Sequence, residues 1–91
     1  MNIIDIEQQR LGRRFPKGTV VRYRGYYGEF DAVVTGGYYP SFDEEFIPFR
    51  DDEYDSVAIE AIESTMAADD LERFPWRGQA FCPSVSEIAR K

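Results

Sequence analysis

Histidine is absent from this 91-residue chain. That removes the usual general base, the commonest metal ligand and the ordinary switch near neutral pH. Cysteine occurs once, at Cys82, so no internal disulfide can form and no thiolate zinc site can be built. Cys82 has no histidine to activate it and is followed by Pro83, so it reads as a small apolar residue and not as a nucleophile. No run of apolar residues is long enough to span a membrane. The opening MNIIDIEQQR carries acids where a secretory signal would carry basic and then apolar residues. A reducing, cytoplasmic setting is therefore expected, and the initial Met1 sets the expectation of a complete small protein. The serines have no partner base, and Gly36-Gly37 is not followed by a helix pattern, so no phosphate loop is present. Asp51, Asp52, Glu53 and Asp55 are dense in carboxylate but lack the spacing and central glycine of a calcium loop. Weak, non-specific cation binding is the most they allow. No cofactor and no enzymatic activity are expected.

What is present begins with residues 18–39, GTVVRYRGYYGEFDAVVTGGYY, around which the chain is organised. Thr19 to Arg24 alternates with the period of a strand: Thr19, Val21 and Tyr23 share one face, and Val20, Arg22 and Arg24 the other. Gly25 and Gly28 bracket Tyr26-Tyr27, which predicts a turn. Glu29 to Thr35 alternates again, with Phe30, Ala32 and Val34 on the apolar face. Gly36-Gly37 predicts a second tight hairpin turn, after which Tyr38 and Tyr39 start a third strand that Pro40 ends at an edge.

Either side of this unit the patterns are shorter. Asn2 can cap a helix of about three turns, with Gly12 as its stop. Residues 57–66 fit a strand, with Val57, Ile59 and Ala61 inward, and also a helix, with Ile59, Ile62 and Met66 as a stripe. A small sheet needs more strands to be stable, which favours a strand over 57–63 and a short helical turn over 68–74. Trp76 is expected in the core or at its rim. Residues 78–82 fit a last short strand with Phe81 inward. Ser84 and Glu87 form a capping-box pattern for a short terminal helix tethered by Val85 and Ile88. The fold class expected is α+β: one domain, mostly antiparallel β, with a short N-terminal helix and short C-terminal helical turns.

Charge is unevenly placed. The formal net charge is −6, yet residues 28–72 hold fourteen acids against Arg50 alone, while the residues before and after are net basic. Two explanations are open. Either the two signs meet in space on folding, or the middle offers a one-sided acidic surface to a basic partner. The densest part is the acidic-aromatic insertion 40–56, PSFDEEFIPFRDDEYDS, with Asp43, Glu44, Glu45, Asp51, Asp52, Glu53 and Asp55. Phe42, Phe46, Ile47, Phe49 and Tyr54 are interleaved with them, unlike a disordered acidic tract. An ordered excursion is expected, its rings docked on the body and its acids in water.

The run KGTVVRYRGYYGEFDAVVTG, through Gly18, Val20, Tyr23, Gly25, Phe30, Ala32 and Val34, resembles the opening of SH3-like small β-barrels of the Tudor or KOW type. VAIEAIES followed by DDLERF is similar to their third strand and the turn after it. The resemblance implies a partly open barrel and covers about half of the chain; the insertion at 40–56 departs from it.

These features lead to a non-enzymatic protein that binds another macromolecule. The leading expectation is an acidic, aromatic-rich surface for a partner with a basic surface, in the manner of a nucleic-acid-mimicking inhibitor of phage origin. Its residues would be the seven acids of the insertion with Tyr26, Tyr27, Tyr38 and Tyr39. Direct nucleic-acid binding is disfavoured because the acidic middle repels phosphate. The alternatives are a peptide-binding module, with the four tyrosines lining a groove for a basic or proline-rich peptide, and a self-associating structural subunit.

Overall fold

The computed structural model describes residues 2–48 and 54–91. An N-terminal helix α1 (Ile3–Arg14) precedes strands β1 (Val20–Gly25), β2 (Gly28–Tyr39) and β3 (Ser56–Ala61). A one-turn 3-10 segment (Glu63–Thr65) and a short helix α2 (Ala68–Arg73) lead to β4 (Ala80–Phe81). A second 3-10 turn (Val85–Glu87) then leads to β5 (Ile88–Arg90). The five strands form one antiparallel sheet in the order β4-β3-β2-β1-β5. The fold class is α+β, as expected.

α1 starts where its cap dictates: the Asn2 side chain accepts the Asp5 amide at 2.9 Å. It does not stop at Gly12. It continues to Arg14, and Gly12 lies under the Tyr38 ring, 3.4 Å from where a Cβ would stand. Leu11 and, just beyond the helix, Phe15 are buried and fix α1 to the sheet.

The hairpin follows the alternation. Val21, Tyr23, Phe30, Ala32 and Val34 are buried, and Gly25 pairs with Gly28 across the two-residue turn. The outward face carries opposite charges in register: Arg22 faces Asp31, and Arg24 faces Glu29. β3 adds Val57 and Ile59 to the buried face, β4 adds Phe81, and Phe74, Val85 and Ile88 close the core.

Two sequence expectations fail for the same physical reason. Gly36-Gly37 is not a hairpin turn, because β2 runs through it to Tyr39. The register with β3 jumps there, from Val34 opposite Ile59 to Tyr38 opposite Val57, so the glycines form a bulge. Gly36 has φ +103°, and a Cβ on Gly37 would stand 2.9 Å from the Ala58 Cβ. Tyr38 and Tyr39 therefore belong to β2 and not to a third strand. Likewise Ser84 caps only one 3-10 turn, accepting the Ser86 amide, and no terminal helix follows. Ile88–Arg90 extends instead and pairs with β1. In both places a sheet partner distant in sequence overrides a local helix or turn signal.

Candidate functional site

The aromatic side chains gather at the β1–β2 turn. Tyr23 stacks on Phe30 at 4.7 Å between centroids, and Phe81 meets Tyr23 edge-on at 5.4 Å. Phe74 packs edge-on against Phe30, Phe81 and Tyr27. Each such pair adds roughly 0.5–1.5 kcal/mol to the plain burial of its rings. This platform holds the turn still. Tyr27 is anchored on Phe74 and Phe81, and its amide donates to the Tyr23 hydroxyl at 3.3 Å. Tyr26, one residue earlier, stands edge-on to Tyr27 at 5.1 Å and is 92% exposed.

Tyr26 and Tyr27 form a ridge between two hollows. The larger, of about 590 Å³, is completed by Asp70, Arg73, Phe74 and Pro75. The smaller, of about 180 Å³, is completed chiefly by Trp76, Phe81, Pro83 and Glu87. Each hollow thus has aromatic or proline walls and one carboxylate, and in the larger one Arg73 holds that carboxylate, Asp70, at 3.4 Å. Backbone glycines make room for both acids. A Cβ on Gly25 would collide with Glu87 Oε2, and one on Gly28 with Asp70 Oδ2. The buried Tyr23 hydroxyl donates to Glu87 at 3.3 Å. Burial, reinforced by Glu87, holds the Tyr23 phenol above its ordinary pKa, against the smaller opposing effect of the Tyr27 amide.

The four tyrosines named from the sequence do not converge. Tyr38 and Tyr39 lie at the other end of β2, roughly 35–40 Å along the chain from Tyr27 at strand rise. Tyr38 is structural: it covers Gly12 and donates to the Phe15 carbonyl at 2.6 Å, while Gln8 donates to its own carbonyl. Tyr39 is exposed alone.

The insertion also departs from expectation. Asp51, Asp52 and Glu53 lie outside the described residues, as does Phe49. Asp55 does not face water. It is 1% exposed, bonded to Arg10 at 2.8 Å and to the Ser41 amide at 2.8 Å, and its carbonyl accepts the Val85 amide. Hydrogen bonds and charge from Asp55 and Glu7 overcome the burial of Arg10 and raise its pKa. Asp43, Glu44 and Glu45 are exposed on a tight tip closed by the Phe42–Pro48 bridge. The rings, however, are not all docked: Phe42 is half-buried, while Phe46, Ile47 and Tyr54 are exposed.

Much of the acidic excess is met by the basic ends of the chain. Lys91 and Arg22 both hold Asp31, at 2.7 and 3.1 Å, Arg77 holds Glu63, and Arg10 holds Asp55. The Lys91 hydrogen bond, more than Arg22, keeps the Asp31 carboxyl below its usual pKa.

Sequence reasoning missed the far wall of the site: Asp70, Phe74, Pro75, Trp76 and Glu87. The run Phe74-Pro75-Trp76 was the available signal, since a proline between two large rings in a short connection points to a surface aromatic wall. Cys82 was expected to behave as an apolar residue, but it is exposed. Among the described residues no group of acids or cysteine could hold a metal ion, and no helix is long and apolar enough to cross a membrane. No protein family, curated protein or solved structure matches the chain.

Proposed function

We propose that the protein is a non-enzymatic binding module that takes an extended basic, proline-containing peptide across the Tyr26 ridge. The observation that carries this reading is Tyr26 itself. A large ring left 92% exposed on a turn that is fixed by five packed aromatic residues is poised for contact and serves no packing need. Prolines can lie on the faces of Tyr26 and Trp76, and a lysine or arginine can enter the smaller hollow toward Glu87, since Asp70 in the larger one is already held by Arg73. The architecture supports a partly open SH3-like barrel: a meander β1 to β4, with β5 returning after a 3-10 turn to pair with β1. The sequence supplies no nucleophile with a base, which favours binding over catalysis.

Imitation of a nucleic-acid backbone draws less support. It needs an outward array of carboxylates, and of the insertion acids Asp55 is buried and paired with Arg10, which leaves Asp43, Glu44 and Glu45 as the exposed ones among the described residues. The test uses the single tryptophan as a reporter. Titration with basic polyproline-type peptides should change Trp76 emission saturably, and Tyr26→Ala should weaken the response at least tenfold. Emission unmoved by such peptides, or equal affinity for the variant, would overturn the reading. Charge reversal at Asp43, Glu44 and Glu45 should leave it intact.

A further inference from the structure

One edge of the sheet is left bare beside the Tyr26 ridge. The Val85 amide donates to the Asp55 carbonyl at 2.7 Å, and the Val57 amide donates to the Pro83 carbonyl at 3.4 Å. Ser56 and Ser84 bridge between these bonds, and Ile59 faces Phe81 farther along. In an antiparallel pair, bonded positions alternate with unbonded ones. Phe81 and the Pro83 carbonyl therefore face β3, while the main-chain groups of Ala80 and Cys82 point away from it. β4 is the last strand of the sheet on this side, and Ala80 and Cys82 are both exposed. Two amides and two carbonyls thus face outward along a short extended segment.

The two edges of the sheet differ in chemistry. The β5 edge ends in Arg90 and Lys91, charges of the kind that keep a foreign strand away, whereas residues 79–84, Gln-Ala-Phe-Cys-Pro-Ser, carry none. The β4 edge also opens on the smaller hollow, which Cys82 borders together with Phe81, Tyr23, Tyr26, Trp76 and Glu87. The Phe81 ring lies on that side, edge-on to Tyr23 at 5.4 Å and to Tyr27 at 5.7 Å. A strand laid against β4 has the side chain opposite Phe81 on the same face, toward the hollow.

We infer that the bound peptide adds to β4 as a sixth, antiparallel strand, with its lysine or arginine opposite Phe81 and directed at Glu87. The inference rests on the peptide reading above and fixes how that peptide lies. Main-chain hydrogen bonds supply affinity, and the hollow selects the side chain. Antiparallel addition satisfies all four outward groups with two peptide residues, those opposite Ala80 and Cys82, whereas parallel addition spreads the same bonds over three. The basic residue between those two turns its own N–H away from β4. So do the residues two positions to either side of it, where prolines can therefore stand. The peptide selected is Pro-x-Lys/Arg-x-Pro, with no proline next to the basic residue. A second copy of the chain fits less well, because its own Ala80-Phe81-Cys82 segment brings no cation to Glu87.

The test titrates the full chain with a blocked peptide centred on Pro-Val-Lys-Val-Pro and with its backbone N-methylated forms. N-methylation of either valine should weaken binding about tenfold or more, while N-methylation of the lysine backbone nitrogen should change it about twofold or less. Hydrogen exchange gives the matching view from the protein. The Ala80 and Cys82 amides should exchange readily in the free chain and become protected with the peptide bound, and the Phe81 amide, which faces β3, should be protected in both. Binding that tolerates methyl groups on both valines, or that is lost when the lysine nitrogen is methylated, would overturn the strand addition and leave the Tyr26 ridge as a peptide site. Protection of Ala80 and Cys82 in the free chain, as a second copy on this edge would give, would also overturn it. Absence of any saturable binding would overturn this inference together with the peptide reading.

Discussion

The chain uses the same doublet twice, and the two uses differ. In Gly25-Tyr26-Tyr27-Gly28 the tyrosines cap a hairpin; in Gly36-Gly37-Tyr38-Tyr39 they extend a strand. At the first, the glycines flank the pair, and Gly28 takes φ +108° so that the chain reverses. At the second, the glycines precede the pair, and the extra residues are absorbed as a bulge opposite β3. The consequences diverge. Tyr38 holds α1 to the sheet, and Arg10 of the same helix holds the buried Asp55, so that end maintains the architecture. Tyr26 holds nothing and is displayed. An exposed aromatic acquires meaning from what its neighbours are doing: Tyr27 is fastened so that Tyr26 can be offered.

The division predicts that changes at the Tyr38 end cost stability and changes at the Tyr26 end cost binding. The largest effect should come from Asp55→Ala. It leaves the Ser41 amide without its acceptor and Arg10 with Glu7 but without its buried partner, and the loss should be about 2 kcal/mol, read as a fall in thermal midpoint of roughly 10 °C. An Asp55→Ala chain that melts like wild type would remove the claim that this end is the anchor. Next, Tyr26→Ala should change stability by no more than about 0.5 kcal/mol while costing about 2 kcal/mol of peptide affinity. Calorimetry and melting on one sample separate the two numbers.

Smaller effects sharpen the contrast between the doublets. Gly36→Ala forces a Cβ onto a backbone at φ +103° and should cost about 1–2 kcal/mol in denaturant unfolding. Tyr38→Phe removes only the bond to the Phe15 carbonyl and should cost about 1 kcal/mol, with the ring still covering Gly12. The smallest is a pH effect on the outer face. The Asp31 pKa is lowered in the folded chain, so its contribution is full above the unfolded value of about 3.9 and is lost as pH falls through the folded value. Melting curves between neutral and strongly acid pH should show this loss, and Asp31→Asn should flatten that part of the profile.

The legible parts of the fold were those fixed by local pattern. Alternation around Tyr23 and Phe30 placed the hairpin, Asn2 placed the start of α1, and Phe81 placed β4. Residues 57–63 were assigned to a strand by the need for sheet partners, and β3 is there. The misread parts depend on partners far along the chain. Nothing local distinguishes Gly36-Gly37 in a turn from the same pair in a bulge; Val57 and Ile59 decide it. Nothing local in Ser84–Glu87 shows that Ile88 will be drawn out to pair with Tyr23. The candidate site was half visible. Tyr26 and Tyr27 stood out, but Trp76 and Glu87 join them only because β4 and β5 fold against opposite edges of the sheet.

The most direct test is a residue-resolved NMR titration with a basic proline-containing peptide. Shift changes should concentrate at Tyr26, Tyr27, Asp70, Trp76 and Glu87, with Tyr38, Tyr39 and the 43–45 acids unmoved. Changes confined to the 43–45 tip and the Tyr38 end, with the Tyr26 ridge silent, would contradict it.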